Sequence, residues 1–150
     1  MRQRGFTFVE ILIVMVLIGI IASLGIPRIR GAMEKQNVRS ARVAAGTIVV
    51  KARAAAIQRG CASAVHFVAG TAGRIWVTTC KTNTTVGLDT LGGMEQIAAR
   101  YNVTFTPTTD SVRYMPNGLA LNNNASTVLR FTSSGNKDSV VINSVGKVVH

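Results

Sequence analysis

One stretch of this sequence limits the possible folds more than any other. Residues 6–26 contain a single ionisable side chain, that of Glu10, in an otherwise apolar run. A helix rises about 1.5 Å per residue, so a helix of this length would extend roughly 30 Å, the thickness of the hydrocarbon core of a bilayer. The stretch therefore predicts a transmembrane helix. A carboxylate at that depth costs on the order of 2.5–3.5 kcal/mol, so Glu10 either reaches the lipid headgroups or has a cationic partner.

The residues around Glu10 carry a specific signature. Residues 4–10 read RGFTFVE and lead directly into the apolar run. This pattern resembles the class III signal of type IV prepilins and type II secretion pseudopilins. The resemblance implies that a prepilin peptidase cleaves between Gly5 and Phe6 and that Phe6 is then N-methylated. It also implies an assembly role for Glu10, paired with the Phe6 amine of a neighbouring subunit.

Two further positions match the same family. Gly19 and Pro27 fall where many members have a helix-loosening glycine and a kinking proline, which fits the conformational freedom of glycine and the missing N–H of proline. Two other interpretations of the N-terminus are an ordinary secretory signal cleaved near residues 22–25 and a plain signal anchor oriented by Arg2 and Arg4. A secretory signal has an apolar region of only about 7–15 residues, and neither alternative accounts for the acid.

Residues 28–60 predict a helix that continues out of the membrane. Its apolar residues recur at intervals of three to five and keep mostly to one helical face. They are Met33, Val38, Ala41, Ala45, Ile48, Ala52 and Ala55. The same stretch carries eight basic side chains and one acidic side chain, Glu34. Gly60 follows Arg59 and is a suitable C-terminal cap for this helix.

Beyond residue 60 the pattern changes to short runs that are typical of strands. Residues 62–68 and 74–80 predict a β-hairpin, and residues 94–100 predict a short helix. Gly87, Gly92 and Gly93 indicate turns. Further strands are predicted at residues 103–105, 112–115, 119–121, 128–131, 139–143 and 147–149. The predicted fold is α+β and pilin-like: a long N-terminal helix, transmembrane and then amphipathic, packed on an antiparallel β-sheet domain.

The expected divisions of the chain follow from these patterns and from the resemblance. They are a prepilin leader peptide at 1–5, a transmembrane and assembly helix at 6–27, an amphipathic stem at 28–60 and a periplasmic antiparallel β domain at 61–150. Residues 52–60, 112–118 and 140–149 also resemble the H-component minor pseudopilins (GspH/FimT-like) and related minor pilins. That second resemblance rests on looser patterns than the N-terminal signature.

The chain has two cysteines, Cys61 and Cys80. If the hairpin turns between Gly70 and Thr71, these two residues lie directly opposite each other. Delivery to the periplasm permits a disulfide, which would close a loop of about 20 residues and stabilise the fold by roughly 3 kcal/mol. The alternative is two separate buried thiols.

Catalysis is not indicated by this sequence. Its two histidines are His66, within a predicted strand, and His150, the last residue, and neither has an acid nearby in sequence. The acids outside the N-terminal run are scattered one at a time, so we predict no metal site and no cofactor. The expected cleavage after Gly5 and N-methylation of Phe6 are reactions that another protein, the prepilin peptidase, would carry out on this chain.

The net charge of +11 suggests a second partner class. A surface rich in lysine and arginine attracts nucleic acid phosphates, and some minor pilins of competence systems bind DNA. Residues 61–150, however, contain seven basic and four acidic side chains, so most of the excess lies on the 28–60 stem. We interpret that stem as a structural element near anionic lipid headgroups.

The sequence thus predicts a minor pseudopilin or pilin precursor that serves the periplasmic pseudopilus of a type II secretion system. The alternative is a minor pilin of a type IV pilus or competence system that binds DNA through its basic surface. The expected partners are other pilins in a helical filament, the prepilin peptidase, the inner-membrane assembly platform and the lipid bilayer, with nucleic acid less favoured. The expected location is the inner membrane, single-pass with a cytoplasmic N-terminus, and then a periplasmic filament.

Overall fold

The computed structural model of the chain describes residues 6–81, 87–121 and 125–149. In chain order its elements are α1 (Phe8–Arg59), β1 (Ser63–Val68), β2 (Arg74–Cys80), β3 (Leu88–Glu95), α2 (Ile97–Tyr101), β4 (Thr104–Pro107), β5 (Ser111–Tyr114), β6 (Thr127–Ser133), β7 (Asn136–Ile142) and β8 (Val148–Val149). The chain divides into two compact units, Met1–Glu34 and Lys35–His150.

The first unit contains the N-terminal part of α1. Its large apolar side chains are all exposed, from 46% for Leu12 to 81% for Phe6. With a mean hydropathy of 2.8 in its most apolar window, α1 is the one helix of the described residues that is long and apolar enough to cross a bilayer. This unit therefore has no core of its own.

In the second unit, α1 buries one face in the domain core. The buried residues are Val38, Ala41, Ala45, Ile48, Val49, Ala52, Ala55 and Ala56. Most of them are the stripe predicted from spacing; Met33, assigned to the same stripe, is instead 60% exposed and belongs to the first unit. Alanine leaves room for close approach, and the Ser63 hydroxyl donates a hydrogen bond to the Ala52 carbonyl. The helix ends at Arg59, and the φ of +64° at Gly60, the next residue, is that of a C-terminal cap.

The first sheet has the strand order β3-β2-β1-β5, and its strand pairs are antiparallel. Side chains of β1 and β2 alternate between buried and accessible positions, as expected of strands with one face on a core. The buried set includes Val65, Phe67, Ile75 and Val77.

The second sheet has the order β4-β6-β7-β8 and is also antiparallel. Strands β6 and β7 form a tight hairpin whose two loop residues, Ser134 and Gly135, have φ values of +44° and +87°. Positive φ at both positions is the hallmark of a type I′ turn, which matches the twist of the flanking strands. The sequence of residues 133–136, Ser-Ser-Gly-Asn, is typical of such a turn.

Aromatic residues join the two sheets into one core. Phe105 and Phe131 stack with ring centroids 5.2 Å apart, and Phe67 meets Phe105 edge-on at 6.3 Å. A Cβ at Gly73 would lie 2.8 Å from the Phe105 Cβ and 2.9 Å from the Gly70 carbonyl oxygen, so only glycine fits there. The hairpin loop between β1 and β2 is thereby fixed against β4.

The structure corrects several predictions about residues 81–121. The stretch that contains Gly92 and Gly93 was assigned to turns, but it forms strand β3 with a bulge at these two residues. The predicted helix at 94–100 is the shorter α2, and residues 119–121 contribute only an isolated bridge between Tyr114 and Ala120. The remaining predicted strands are found within a few residues of their expected ends.

The predicted register of the first hairpin is wrong by one residue. Strands β1 and β2 pair Ser63 with Thr79 and Val68 with Arg74, which centres the turn on Thr71. The hydrogen bond from the Gly73 N–H to the Gly70 carbonyl sets this turn. Residues 122–124, whose sequence Asn-Asn-Asn favours a turn, lie outside the described residues.

Candidate functional site: the N-terminal segment and its anchorage

Thr7 lies immediately before the first residue of helix α1. Its hydroxyl accepts a hydrogen bond from the Glu10 N–H at 3.3 Å, and its carbonyl accepts one from the Ile11 N–H at 3.3 Å. Thr7 is therefore the N-cap of α1, and Thr7-x-x-Glu10 has the spacing of a capping box. This role of Thr7 was not predicted, although a threonine three residues before a glutamate signals it in the sequence.

The carboxylate of Glu10 lies on an exposed apolar helix. Among the described residues, no ion pair or side-chain hydrogen bond involves this carboxylate. Phe6, the expected partner position on a neighbouring subunit, is 81% exposed. Gly5, the expected cleavage position, lies outside the described residues. Within a single chain, the Glu10 carboxylate is thus not paired with Phe6, and both residues are exposed.

Helix α1 is continuous through the two positions expected to loosen it, Gly19 and Pro27. Because proline has no N–H, the Ser23 carbonyl four residues earlier lacks its usual helical donor. The Ser23 hydroxyl donates to the Ile20 carbonyl at 2.9 Å in the same region. The helix-loosening role of Gly19 and Pro27 stays a prediction.

The C-terminal end of α1 is attached to the first sheet by a disulfide. Cys61 and Cys80 are bonded, with their Cα atoms 6.3 Å apart. The pair predicted from sequence is therefore correct even though the register is not, since Cys61 precedes β1 and reaches Cys80 diagonally.

Arg59 forms a second connection between α1 and the first sheet, and this connection was not predicted from the sequence. One of its guanidinium nitrogens, Nη1, donates to the Cys80 carbonyl at 2.7 Å and lies 3.5 Å from the Asp89 carboxylate. Nothing in the local sequence marks this arginine, because its partners belong to β2 and β3.

The acids of the second unit are mostly engaged in ion pairs. Asp89 pairs with Arg59, Glu95 with Arg100 and Asp138 with Arg42. Within the part of the chain that the structure describes, no three His, Cys, Asp or Glu side chains are grouped as metal ligands would be. His66 contacts Thr78 and Trp76 and no acid, whereas His150 lies outside the described residues.

Comparison with known proteins points to one class. Residues 1–26 match the prokaryotic N-terminal methylation motif. The chain is 48% identical over 40 residues to type II secretion system core protein G of Dickeya chrysanthemi, a match of 27% of this chain and 26% of that protein. The same 48% over 40 residues holds for core protein G of Escherichia coli (strain K12), covering 28% of that protein. The chain thus matches about a quarter of the length of these curated relatives.

The fold has a counterpart among solved structures. It is similar to the type IV minor pilin FimU of Pseudomonas aeruginosa (strain PAO1), with a TM-score of 0.60 and 10% identity, over 77% of this chain and 89% of that one. The N-terminal motif and the fold are therefore those of type IV pilins and pseudopilins, which confirms the resemblance and the pilin-like fold class. Proteins of this class are structural subunits, not enzymes, and assemble with other pilin subunits. Core protein G shares the N-terminal segment, and FimU shares the fold.

Proposed function

We propose that this chain is a minor pseudopilin precursor that is cleaved after Gly5, methylated at Phe6 and assembled into the periplasmic pseudopilus of a type II secretion system. The observation that carries the proposal is the apolar part of α1, residues 8–26, whose large apolar side chains are all exposed and which contains a single carboxylate, that of Glu10. The prepilin peptidase acts at the cytoplasmic face of the inner membrane. The assembly platform then moves subunits from the bilayer into the filament.

Pairing between subunits offsets the cost of burying Glu10. Among the described residues the Glu10 carboxylate takes part in no ion pair or side-chain hydrogen bond, so it can meet an external cation. A methylated amine on Phe6 of an adjacent subunit supplies that cation at the same depth. The pair also sets the axial position of one subunit relative to the next, because a mismatch leaves a buried charge unpaired.

A second apolar surface supports assembly. Val43, Val50 and Ile57 of α1 are each more than half exposed and are spaced by seven residues, which places them on one side of the helix. Val43 and Val50 line a groove of about 350 Å³ together with Val148 of β8. Apolar surface of this kind is typical of protein–protein contacts, so we assign it to neighbouring subunits.

The role as an H-component-like minor subunit rests on the sequence resemblance of the β domain. A specific observation favours the alternative, a minor pilin of a type IV pilus or competence system, since the fold is similar to that of a type IV minor pilin. Deletion of the gene separates the two. Lost type II secretion with intact pili supports the first, and lost pili with intact secretion supports the second.

Replacement of Glu10 tests the assembly mechanism. We expect Glu10→Ala to be cleaved and methylated normally but excluded from filaments, because it no longer provides the partner charge. The measurement is mass spectrometry of the membrane-bound chain alongside its quantity in sheared filaments. Glu34→Ala is the matched control, since it removes a partly exposed acid from the same helix and should assemble normally.

Replacement of Gly5 tests the processing step by itself. We expect Gly5→Val to leave the precursor uncut, with Met1 to Gly5 still attached. An N-terminus that begins near residue 25 in the native protein would instead show ordinary secretory cleavage and end the proposal.

A further inference from the structure

The outer face of the first sheet has no part in the assembly mechanism above. It consists of the side chains of β1, β2 and β5 that alternate with the buried ones. The members used below are Ala64, His66, Arg74, Trp76, Thr78, Ser111 and Arg113.

Two aromatic rings occupy the centre of this outer face. His66 and Trp76 are cross-strand partners, and their rings stack with centroids 5.1 Å apart at 16° between planes. The His66 Nε2 lies 2.9 Å from the Thr78 hydroxyl oxygen, which fixes the imidazole. Burial lowers the pKa of His66 below its usual value of 6.5, so the stack is uncharged at neutral pH.

Two arginines flank the rings. Arg113 is paired in register with Ala64, and Arg74 with Val68, so each lies two residues along the strands from the His66–Trp76 pair, at the next position on the same face. Among the described residues neither has a carboxylate partner, in contrast to Arg42, Arg59 and Arg100. Both are available to an anion.

The acids of the first sheet lie away from this face. Asp89 and Glu95 of β3 are opposite the buried Thr79 and Ile75, and both are held by other arginines. No outer position of the four strands carries a carboxylate. The outer strand positions are thus aromatic and cationic, and Glu95, which lines a separate cavity together with Trp76, is paired with Arg100.

A small cavity adjoins the imidazole of His66, which stacks on Trp76. Its volume is about 190 Å³, and its lining includes Ala64, His66, Thr78, Ser111 and Arg113. Drug-sized ligands use pockets of about 300–1,000 Å³. The size of this cavity instead suits one flat ring such as a nucleobase. Such a ring would contact the small side chains of Ala64 and Ser111 and lie between the His66 imidazole and the Arg113 guanidinium.

We infer that the outer face binds single-stranded nucleic acid, with a base inserted beside His66 and Trp76 and the adjoining phosphates held by Arg113 and Arg74. Open sheet faces that carry aromatic and cationic side chains recognise unpaired bases by stacking and phosphates by charge. A duplex keeps its bases stacked internally and cannot enter the cavity. The inference does not rest on the filament to which the subunit belongs, and it places nucleic acid on the sheet rather than on the basic stem.

The chain contains its own reporter for this site, because Trp76 is its only tryptophan. The experiment titrates the full chain, in a nonionic detergent and about 50 mM salt, with an oligothymidylate of about 12 nucleotides and follows Trp76 fluorescence. We expect saturable quenching. Each phosphate contact that Arg113→Gln removes should lower the slope of log affinity against log salt by about 0.7.

Matched variants separate this site from general charge attraction. Arg130→Gln removes an exposed arginine from the second sheet and should change the affinity less than twofold. Anisotropy of a labelled oligonucleotide should show a loss of roughly 5- to 150-fold for Trp76→Ala, with Trp76→Phe largely retained because it keeps a ring. Circular dichroism verifies that each variant is folded.

Three results would overturn the inference. The first is no quenching at low salt. The second is an equal loss of affinity in Arg113→Gln and Arg130→Gln. The third is binding of polyphosphate, an acidic glycan or duplex DNA as tight as that of the single strand, since this would assign the surface to anions in general or to another polymer.

Discussion

The two units of the chain differ in whether their large apolar side chains are buried or exposed. In Met1–Glu34 the large apolar side chains of the described residues are all exposed, whereas Lys35–His150 encloses a core that includes Phe105, Phe131 and Tyr114 at 0% exposure. The second unit therefore encloses its own core, although it leaves Val43, Val50 and Ile57 exposed. Under the proposed function, lipid or other subunits cover the apolar side chains of the first unit.

The largest expected effect is that of a substitution in the core of the second unit. Phe105→Ala should lower the free energy of unfolding by about 3–5 kcal/mol, because a buried ring that touches two others leaves a cavity. Leu17→Ala, in the exposed helix, should leave the unfolding of the β domain unchanged. Chemical denaturation followed by Trp76 fluorescence measures both, and similar losses in the two variants would contradict the independence of the units.

Removal of the disulfide should have the next largest effect. Cys61→Ser with Cys80→Ser removes a crosslink between residues 19 apart and should lower the free energy of unfolding by roughly 3 kcal/mol. The midpoint of denaturation with and without reductant gives the same quantity in the wild-type chain. A midpoint that does not respond to reductant would show that the bond contributes little.

Alkaline pH should weaken the second unit through Tyr114. Burial raises the pKa of Tyr114 to about 12, partly offset by Arg53, and its hydroxyl donates to the Gly146 carbonyl at 3.1 Å. The folded chain holds this proton more tightly than the unfolded chain, so its contribution is complete below pH 10 and is lost as the pH rises to about 12. We expect a loss of up to about 2 kcal/mol over that interval. Tyr114→Phe should be less stable at neutral pH and should show a shallower decline with pH.

The smallest expected effect concerns the ion pair between α1 and β7. The Arg42 Nε lies 3.3 Å from the Asp138 carboxylate but is not aligned with it as a hydrogen bond, and both side chains are partly exposed. Asp138→Asn should therefore cost less than about 1 kcal/mol. A larger loss in thermal denaturation at low salt would reveal a stronger coupling between helix and sheet than the geometry indicates.

Local patterns predicted most of the fold. The apolar run, the alanine-rich face of α1 and the hairpin β1–β2 each follow from a period that is visible in the sequence. Strand β3 was overlooked because Gly92 and Gly93 read as a turn, while the structure uses their positive φ values for a bulge opposite β2. A bulge depends on the partner strand, which one segment of sequence does not contain.

The residues of the candidate site could also be predicted only in part from the sequence. Glu10 stands out because an acid in an apolar run is costly, and the cysteines stand out because there are only two. Arg59, in contrast, resembles any other basic residue of the stem until β2 and β3 are brought to it. The outer face of the first sheet is equally hidden, since His66, Trp76 and Arg113 meet only through strand pairing.

The anchorage of α1 in the second unit has a mechanical consequence. From Val38 to Ala56 one face of the helix is buried, and immediately beyond it Arg59 and the Cys61–Cys80 bond secure its end. Tension applied along the helix axis at Lys35 is then resisted by all of these contacts in parallel, as sliding, rather than one at a time, as peeling. A subunit of this kind can be drawn by its helix without losing its globular part.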